Sequence, residues 1–131
     1  MYLPDTSIWV EFFRSKGNRQ IKDLVANWVS KEEVAYTCPI LFELELGGRP
    51  EEVVTVHACF KWLHHQPFLS QHWQKAAQHE LLLKSKGTIV PRTDIFIATL
   101  AAMENFILVT RDNHFGIIRQ NVLPELQIVL L

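Results

Sequence analysis

The first seven residues, Met1-Tyr-Leu-Pro-Asp-Thr-Ser7, constrain this chain most tightly. A short apolar run, Tyr2-Leu3, stops at an acid, Asp5, and an amphipathic stretch through Phe13 follows at once. Trp9, Phe12 and Phe13 recur at helical spacing, so the segment reads as strand, acid, then helix over residues 6–14. A strand that feeds directly into a helix favours a parallel α/β sheet, and ligands of open α/β sheets sit beyond the carboxyl ends of the strands. Asp5 lies at such an end, and the rest of the sequence decides whether other carboxylates converge on it.

The remaining chain keeps the same alternation. Residues 19–30 carry Ile21, Leu24, Val25 and Trp28 on one helical face, and residues 34–37 form a short β-rich run. Pro39 suits the first turn of a helix over 40–46, which Gly47-Gly48 ends. A fourth helix starts at Pro50 with Glu51 and Glu52 in its first turn, where the helix dipole favours acids. Residues 64–70 read as a loop, 71–86 as a helix and 88–90 as a third strand. A nearly all-apolar helix over 94–104 follows, then strand 106–110, a loop and short helix over 111–118, and a last strand over 127–131.

Composition narrows the class. A length of 131 residues predicts one domain, and 48% hydrophobic residues supply a proper core. No apolar run is long enough to span a bilayer, and no basic-then-apolar leader opens the chain, so a cytoplasmic protein is expected. Cys38 and Cys59 form no spaced motif and are expected to be buried thiols. The formal net charge of −1 argues against a broad electrostatic grip on nucleic acid, but leaves room for a nuclease whose site acids mask basic residues elsewhere. His57, His64, His65, His72, His79 and His114 form no zinc-binding pattern.

The acids carry the functional signal. Ile40, Leu44 and Gly47 share one helical stripe, and Glu43 lies on it while Glu45 points away. A carboxylate on an inward face needs a charged or hydrogen-bonding partner; a place at the stripe's edge, reaching solvent or an arginine, is the alternative. Gly47 is expected to admit a close backbone approach. Asp94 opens the apolar helix on the side of Ala98 and Ala101, and Asp112 follows strand 106–110 by two residues. Singly, Asp5 and Asp94 read equally well as helix caps and Asp112 as a turn former. Together, Asp5, Glu43, Asp94 and Asp112 fall at strand ends or following helix starts, hence at one sheet edge. Carboxylates gathered there repel unless compensated, and a hard divalent cation such as Mg²⁺ compensates them and can activate water beside a phosphate.

In order along the chain, Leu3-Pro-Asp-Thr-Ser-Ile-Trp-Val10, Phe42-Glu-Leu-Glu-Leu-Gly47, Thr93-Asp-Ile-Phe-Ile-Ala98 and Leu108-Val-Thr-Arg-Asp112 with His114-Phe115 resemble the acidic motifs of the PIN-domain family. Within it, they resemble specifically the VapC-type toxins of bacterial and archaeal type II toxin–antitoxin pairs. The resemblance implies a single PIN domain over residues 1–131, a three-layer α/β/α sandwich around a central parallel sheet of roughly four or five strands. It implies a Mg²⁺- or Mn²⁺-dependent endoribonuclease that cleaves RNA by metal-activated water, with Asp5, Glu43, Asp94 and Asp112 as catalytic metal ligands. Thr6, Thr110, Arg92, Arg111 and His114 are auxiliary candidates: the arginines as phosphate clamps or local ion pairs with the neighbouring acids, His114 as a phosphate contact. A homodimer and a VapB-like antitoxin are the implied partners, and Trp62, Phe68 and Trp73 are either core or part of such a surface. Phe96 departs from a helix that is often richer in alanine in the family.

Three other readings compete. A PIN-like nuclease could act on DNA, or in RNA processing outside a toxin–antitoxin pair, because the same acids serve either nucleic acid. A receiver-like signalling domain also clusters acids around Mg²⁺, but needs a lysine near its last strand, and the last lysine here is Lys86. A PIN-like scaffold without activity would not need the acids intact.

Overall fold

A computed structural model describes residues 1–131. In chain order the elements are β1 (Tyr2–Pro4), α1 (Thr6–Phe13), α2 (Arg19–Ser30), β2 (Ala35–Tyr36), α3 (Cys38–Gly47), α4 (Pro50–Phe60), β3 (His64–His65), α5 (Ser70–Ser85), α6 (Arg92–Met103), β4 (Ile107–Thr110), α7 (His114–Asn121) and β5 (Gln127–Leu130). Strands β1, β4 and β5 pair in parallel in the order β1-β4-β5, and β2 pairs in parallel with β3. A parallel bridge between Tyr2 and Val34, with the Tyr2 N–H donating to Glu33 O at 2.8 Å, joins the two groups. The result is one parallel sheet in the order β3-β2-β1-β4-β5.

Leu108 and Val109 are adjacent in β4 and both fully buried. Successive strand residues face opposite sides of a sheet, so helices cover both sides, and the layers are α/β/α as the sequence implies. From β1 the chain moves to β2 and β3 on one side, then crosses to β4 on the other. The topological switch point therefore lies between the carboxyl ends of β1 and β4, where such sheets bind ligands. Register puts Pro4 beside Val109, so Asp5 and Thr110 leave the sheet next to each other.

Two strand assignments change. Residues 88–90 are not a strand: Gly87, at φ +68°, closes the end of α5 with Thr88 N–H donating to Leu83 O at 2.9 Å, and Ile89 stands in solvent. The sheet edge they would have filled belongs to His64–His65, within the segment read as a loop. Pairing with β2, rather than any alternation of their own, makes those two histidines a strand.

Three smaller expectations also change. Cys38 is exposed, its Sγ 3.5 Å from His65 Nε2, because β2 ends two residues earlier, at Tyr36, and Cys38 opens α3. A Cβ on Gly47 would touch nothing; the close approach is at Gly48, whose Cβ would lie 2.9 Å from Leu44 O. Phe68 packs against Trp73 and Phe96 at ring-centroid distances of 4.5 and 5.8 Å, whereas Trp62 stands apart from this cluster and is 84% exposed. No helix is long and apolar enough to cross a membrane.

Candidate active site

Asp5 caps α1, as its sequence context allows: its Oδ1 accepts from Ile8 N–H at 3.2 Å and from the Ser7 hydroxyl at 2.5 Å. Capping does not exhaust it. Its Oδ2 accepts from the Thr110 hydroxyl at 2.6 Å, and the same Thr110 oxygen accepts from Asp112 N–H at 2.9 Å. Thr110 thereby ties the end of β1 to the turn that carries Asp112. Asp5 is 5% exposed; burial pushes its carboxyl above the usual range, the Ser7, Thr110 and Ile8 donors pull it back, and the Asp112 charge raises it again.

Glu43, one turn into α3, faces inward as the stripe predicts. Thr6 Oγ1 donates to its Oε1 at 2.7 Å and Thr93 Oγ1 to its Oε2 at 3.3 Å. The carboxylate therefore bridges the first turns of α1 and α6. Asp94 sits in the first turn of α6, a helix whose Ala98 and Ala101 are fully buried and let it lie close to its neighbours. Its carboxyl, 9% exposed, is pushed up to about 6, first by burial, then by the charges of Asp112 and Glu43, with His114 opposing. His114 Nδ1 lies 3.2 Å from Asp94 Oδ2 and 2.9 Å from Asp112 Oδ1, and its backbone N–H also donates to Asp112 Oδ1 at 2.9 Å. Asp94, Asp112 and His114 offer ligand atoms all within 4.8 Å of one another.

The structure thus brings Asp5, Glu43, Asp94 and Asp112 to one edge of the sheet, together with Thr6, Thr110 and His114. It does not bring Arg92, whose guanidinium forks onto Glu80 at 2.8 and 3.1 Å. Arg111 pairs with none of these acids either; its side chain reaches back to Glu11 at 2.7 Å. His114 points Nδ1 at the Asp94 and Asp112 carboxylates, and its ring is 43% exposed. Sequence reasoning missed Ser7, Thr93 and Glu11. Glu11 was findable: it follows Ser7 by four and Ile8 by three, which places it on the buried stripe by the logic that located Glu43.

The donor set is oxygen-rich, with one imidazole, and crowds four carboxylates of which none has a lysine or arginine partner. Hard divalent cations prefer such oxygen donors and relieve that crowding, so the residues present fit Mg²⁺ or Mn²⁺.

A parallel sheet with an acid-lined switch point of this kind fits the PIN domain. The PIN domain family model matches residues 2–120, and the chain belongs to that family. Among solved structures, the fold is similar to VapBC2 from Rickettsia felis bound to a fragment of its promoter DNA, at TM-score 0.80 and 20% identity over 99% of this chain and 98% of that one. DNA-bound VapBC from Salmonella typhimurium is similar at TM-score 0.79 and 20% identity, covering 98% and 96%. VapC20 of Mycobacterium tuberculosis, a sarcin–ricin loop cleaving toxin, matches at TM-score 0.69 and 16% identity, covering 89% and 94%. These likenesses are of fold. No curated protein matches the sequence. Family membership removes the receiver-domain reading.

Proposed function

We propose that the chain is a Mg²⁺- or Mn²⁺-dependent endoribonuclease and the toxin of a type II toxin–antitoxin pair. The observation that carries the proposal is the convergence of Asp5, Glu43, Asp94 and Asp112 at the switch point, where burial first and the Asp112 and Glu43 charges second raise the Asp94 carboxyl to about 6. Four carboxylates gathered without a lysine or arginine partner are ill suited to a purely structural role and well suited to a cation. Asp94 and Asp112 are the nearest pair of candidate ligands, bridged by His114. Asp5, oriented by Ser7 and Thr110, and Glu43, oriented by Thr6 and Thr93, complete the set.

When bound, a divalent cation lowers the pKa of water and draws charge from the phosphoryl oxygens. The chain's own part is to fix the four carboxylates through hydroxyl and backbone donors, so that little reorganisation is needed as the phosphate reacts. With water rather than the ribose 2′-OH as nucleophile, the products carry a 5′ phosphate and a 3′ hydroxyl. RNA is supported by the sarcin–ricin loop cleaving toxin whose fold this chain shares, and a VapB-like antitoxin by the VapBC complexes of the same fold; the homodimer rests on the family resemblance. A cytoplasmic location follows from an RNA target inside the cell. Induced expression in a bacterial host tests the proposal: the wild type should arrest growth and the Asp94→Asn variant should not. Equal growth of the two would count against a toxin.

A further inference from the structure

Glu11 is a buried carboxylate that the proposed chemistry does not use. Its Oε1 accepts from two guanidinium groups at once, Arg14 at 2.8 Å and Arg111 at 2.7 Å, and its Oε2 accepts from Asn18 N–H at 2.7 Å. The backbone bond from Asn18 holds its pKa below the usual carboxylate range, with both arginine charges adding to the effect against burial. Its seat is tightly built. A Cβ on Gly17 would lie 1.8 Å from Glu11 O, so only glycine lets the chain turn across the end of α1 and deliver Asn18.

We propose that Arg14 and Arg111, anchored together on Glu11, form a clamp for an RNA backbone phosphate beside the acid-lined cleft; this rests on the ribonuclease reading above. Charge is the first argument. One carboxylate faces two cations, which leaves one positive charge over, and a phosphodiester supplies the single negative charge that balances it. Arg19 and Arg49 differ, each with at least one carboxylate of its own; Arg92 shares Glu80 with Lys84, but with both oxygens of that carboxylate taken by its fork.

Access is the second argument. The Arg14 and Arg111 side chains are 57% and 43% exposed, so each keeps donors free although one nitrogen is pinned. A planar guanidinium with free donors is the side chain best matched to phosphate oxygens.

Placement is the third. Arg14 lines a hollow of ≈ 240 Å³ whose wall includes Thr6 and Glu43. Arg111 lines a second, of ≈ 280 Å³, with Asn18 and Gln20. The two arginines therefore line two different depressions, one of which shares Thr6 and Glu43 with the proposed site. Arg111 is also held from its backbone: its N–H donates to Ser7 Oγ at 3.1 Å, and Ser7 donates to Asp5. Neither guanidinium touches Asp5, Glu43, Asp94 or Asp112, so the phosphate they take is a different one from the scissile phosphate.

The test compares wild type with Arg14→Ala, Arg111→Ala and Arg111→Lys. Steady-state cleavage of a fluorogenic RNA oligonucleotide in Mn²⁺ gives kcat and KM. Fluorescence anisotropy of a short single-stranded RNA, with chelator present to stop cleavage, gives affinity across a salt series, and circular dichroism checks folding. Each alanine variant should raise KM about tenfold, as for one lost charge-assisted contact, with kcat changed by less than about twofold. Each should also make the dependence of log affinity on log salt shallower by about 0.7, the value for one phosphate contact on a single strand. Arg111→Lys should keep the wild-type slope and recover part of the affinity. Wild-type cleavage with KM or salt slope unchanged in both alanine variants would overturn the clamp and leave the nuclease reading standing. A wild type that neither binds nor cleaves RNA would overturn that reading and the clamp with it.

Discussion

Thr110 and Asp5, 105 positions apart in the chain, are joined by a buried hydrogen bond of 2.6 Å from the Thr110 hydroxyl to Asp5 Oδ2. The same hydroxyl accepts from Asp112 N–H at 2.9 Å. One side chain therefore sets both the first acid of the chain and the turn that presents the last. Thr110→Val is close in shape but leaves Asp5 Oδ2 and Asp112 N–H without this partner. It should destabilise the fold by roughly 1–3 kcal/mol, the cost of stranding buried polar groups, and Thr110→Ser should restore most of that. Denaturant melts of the two variants measure it; equal stability of Val and wild type would show that the bond contributes nothing.

Asp94 links stability to pH through its raised carboxyl. Its pKa is about 6 in the fold against an ordinary 3.8, so the folded state binds more protons between those limits. Its contribution to stability is complete below pH 3.8 and is lost as pH rises through about 6. At pH 7.5 without divalent cations, Asp94→Asn should therefore be more stable than wild type, by on the order of 1–3 kcal/mol. Mn²⁺ should raise the melting temperature of the wild type and have little effect on the variant. Both effects are read from thermal melts with and without Mn²⁺, and a variant less stable than wild type at pH 7.5 would contradict them.

Glu11 should show the opposite sign. Its carboxyl is held below 4.5 by Asn18 N–H and the two arginines, so its contribution is present above that value and lost as pH falls through the depressed one. Glu11→Gln should melt below wild type at pH 7, and the gap should close as pH drops toward 3. A gap independent of pH would show that shape, not charge, makes the difference.

The acids were legible in the sequence because each lies where a periodicity changes: Asp5 and Asp112 just past β runs, Asp94 at the start of an apolar helix, Glu43 on an inward stripe. Parallel strands buried on both faces gave clear runs at β1 and β4 for the same reason. The edge strand at His64–His65 was not legible, since two residues have no periodicity and become a strand only by pairing with β2. The destinations of Arg92 and Arg111 were not legible either. A long side chain next to a site acid in sequence can turn to a carboxylate on another element, and here both do, to Glu80 and Glu11.

The most direct test of the central claim is the chemistry of the cut ends. Purified wild type, Glu43→Gln and Asp94→Asn are incubated with an end-labelled RNA in Mg²⁺, in Mn²⁺ and in EDTA, and the product termini are identified by mass spectrometry. The wild type should cleave only with the cation present and leave a 5′ phosphate and a 3′ hydroxyl, while both variants fold but lose cleavage by about two orders of magnitude or more. Full activity in EDTA, or a 2′,3′-cyclic phosphate on the product, would contradict hydrolysis at a carboxylate-bound cation.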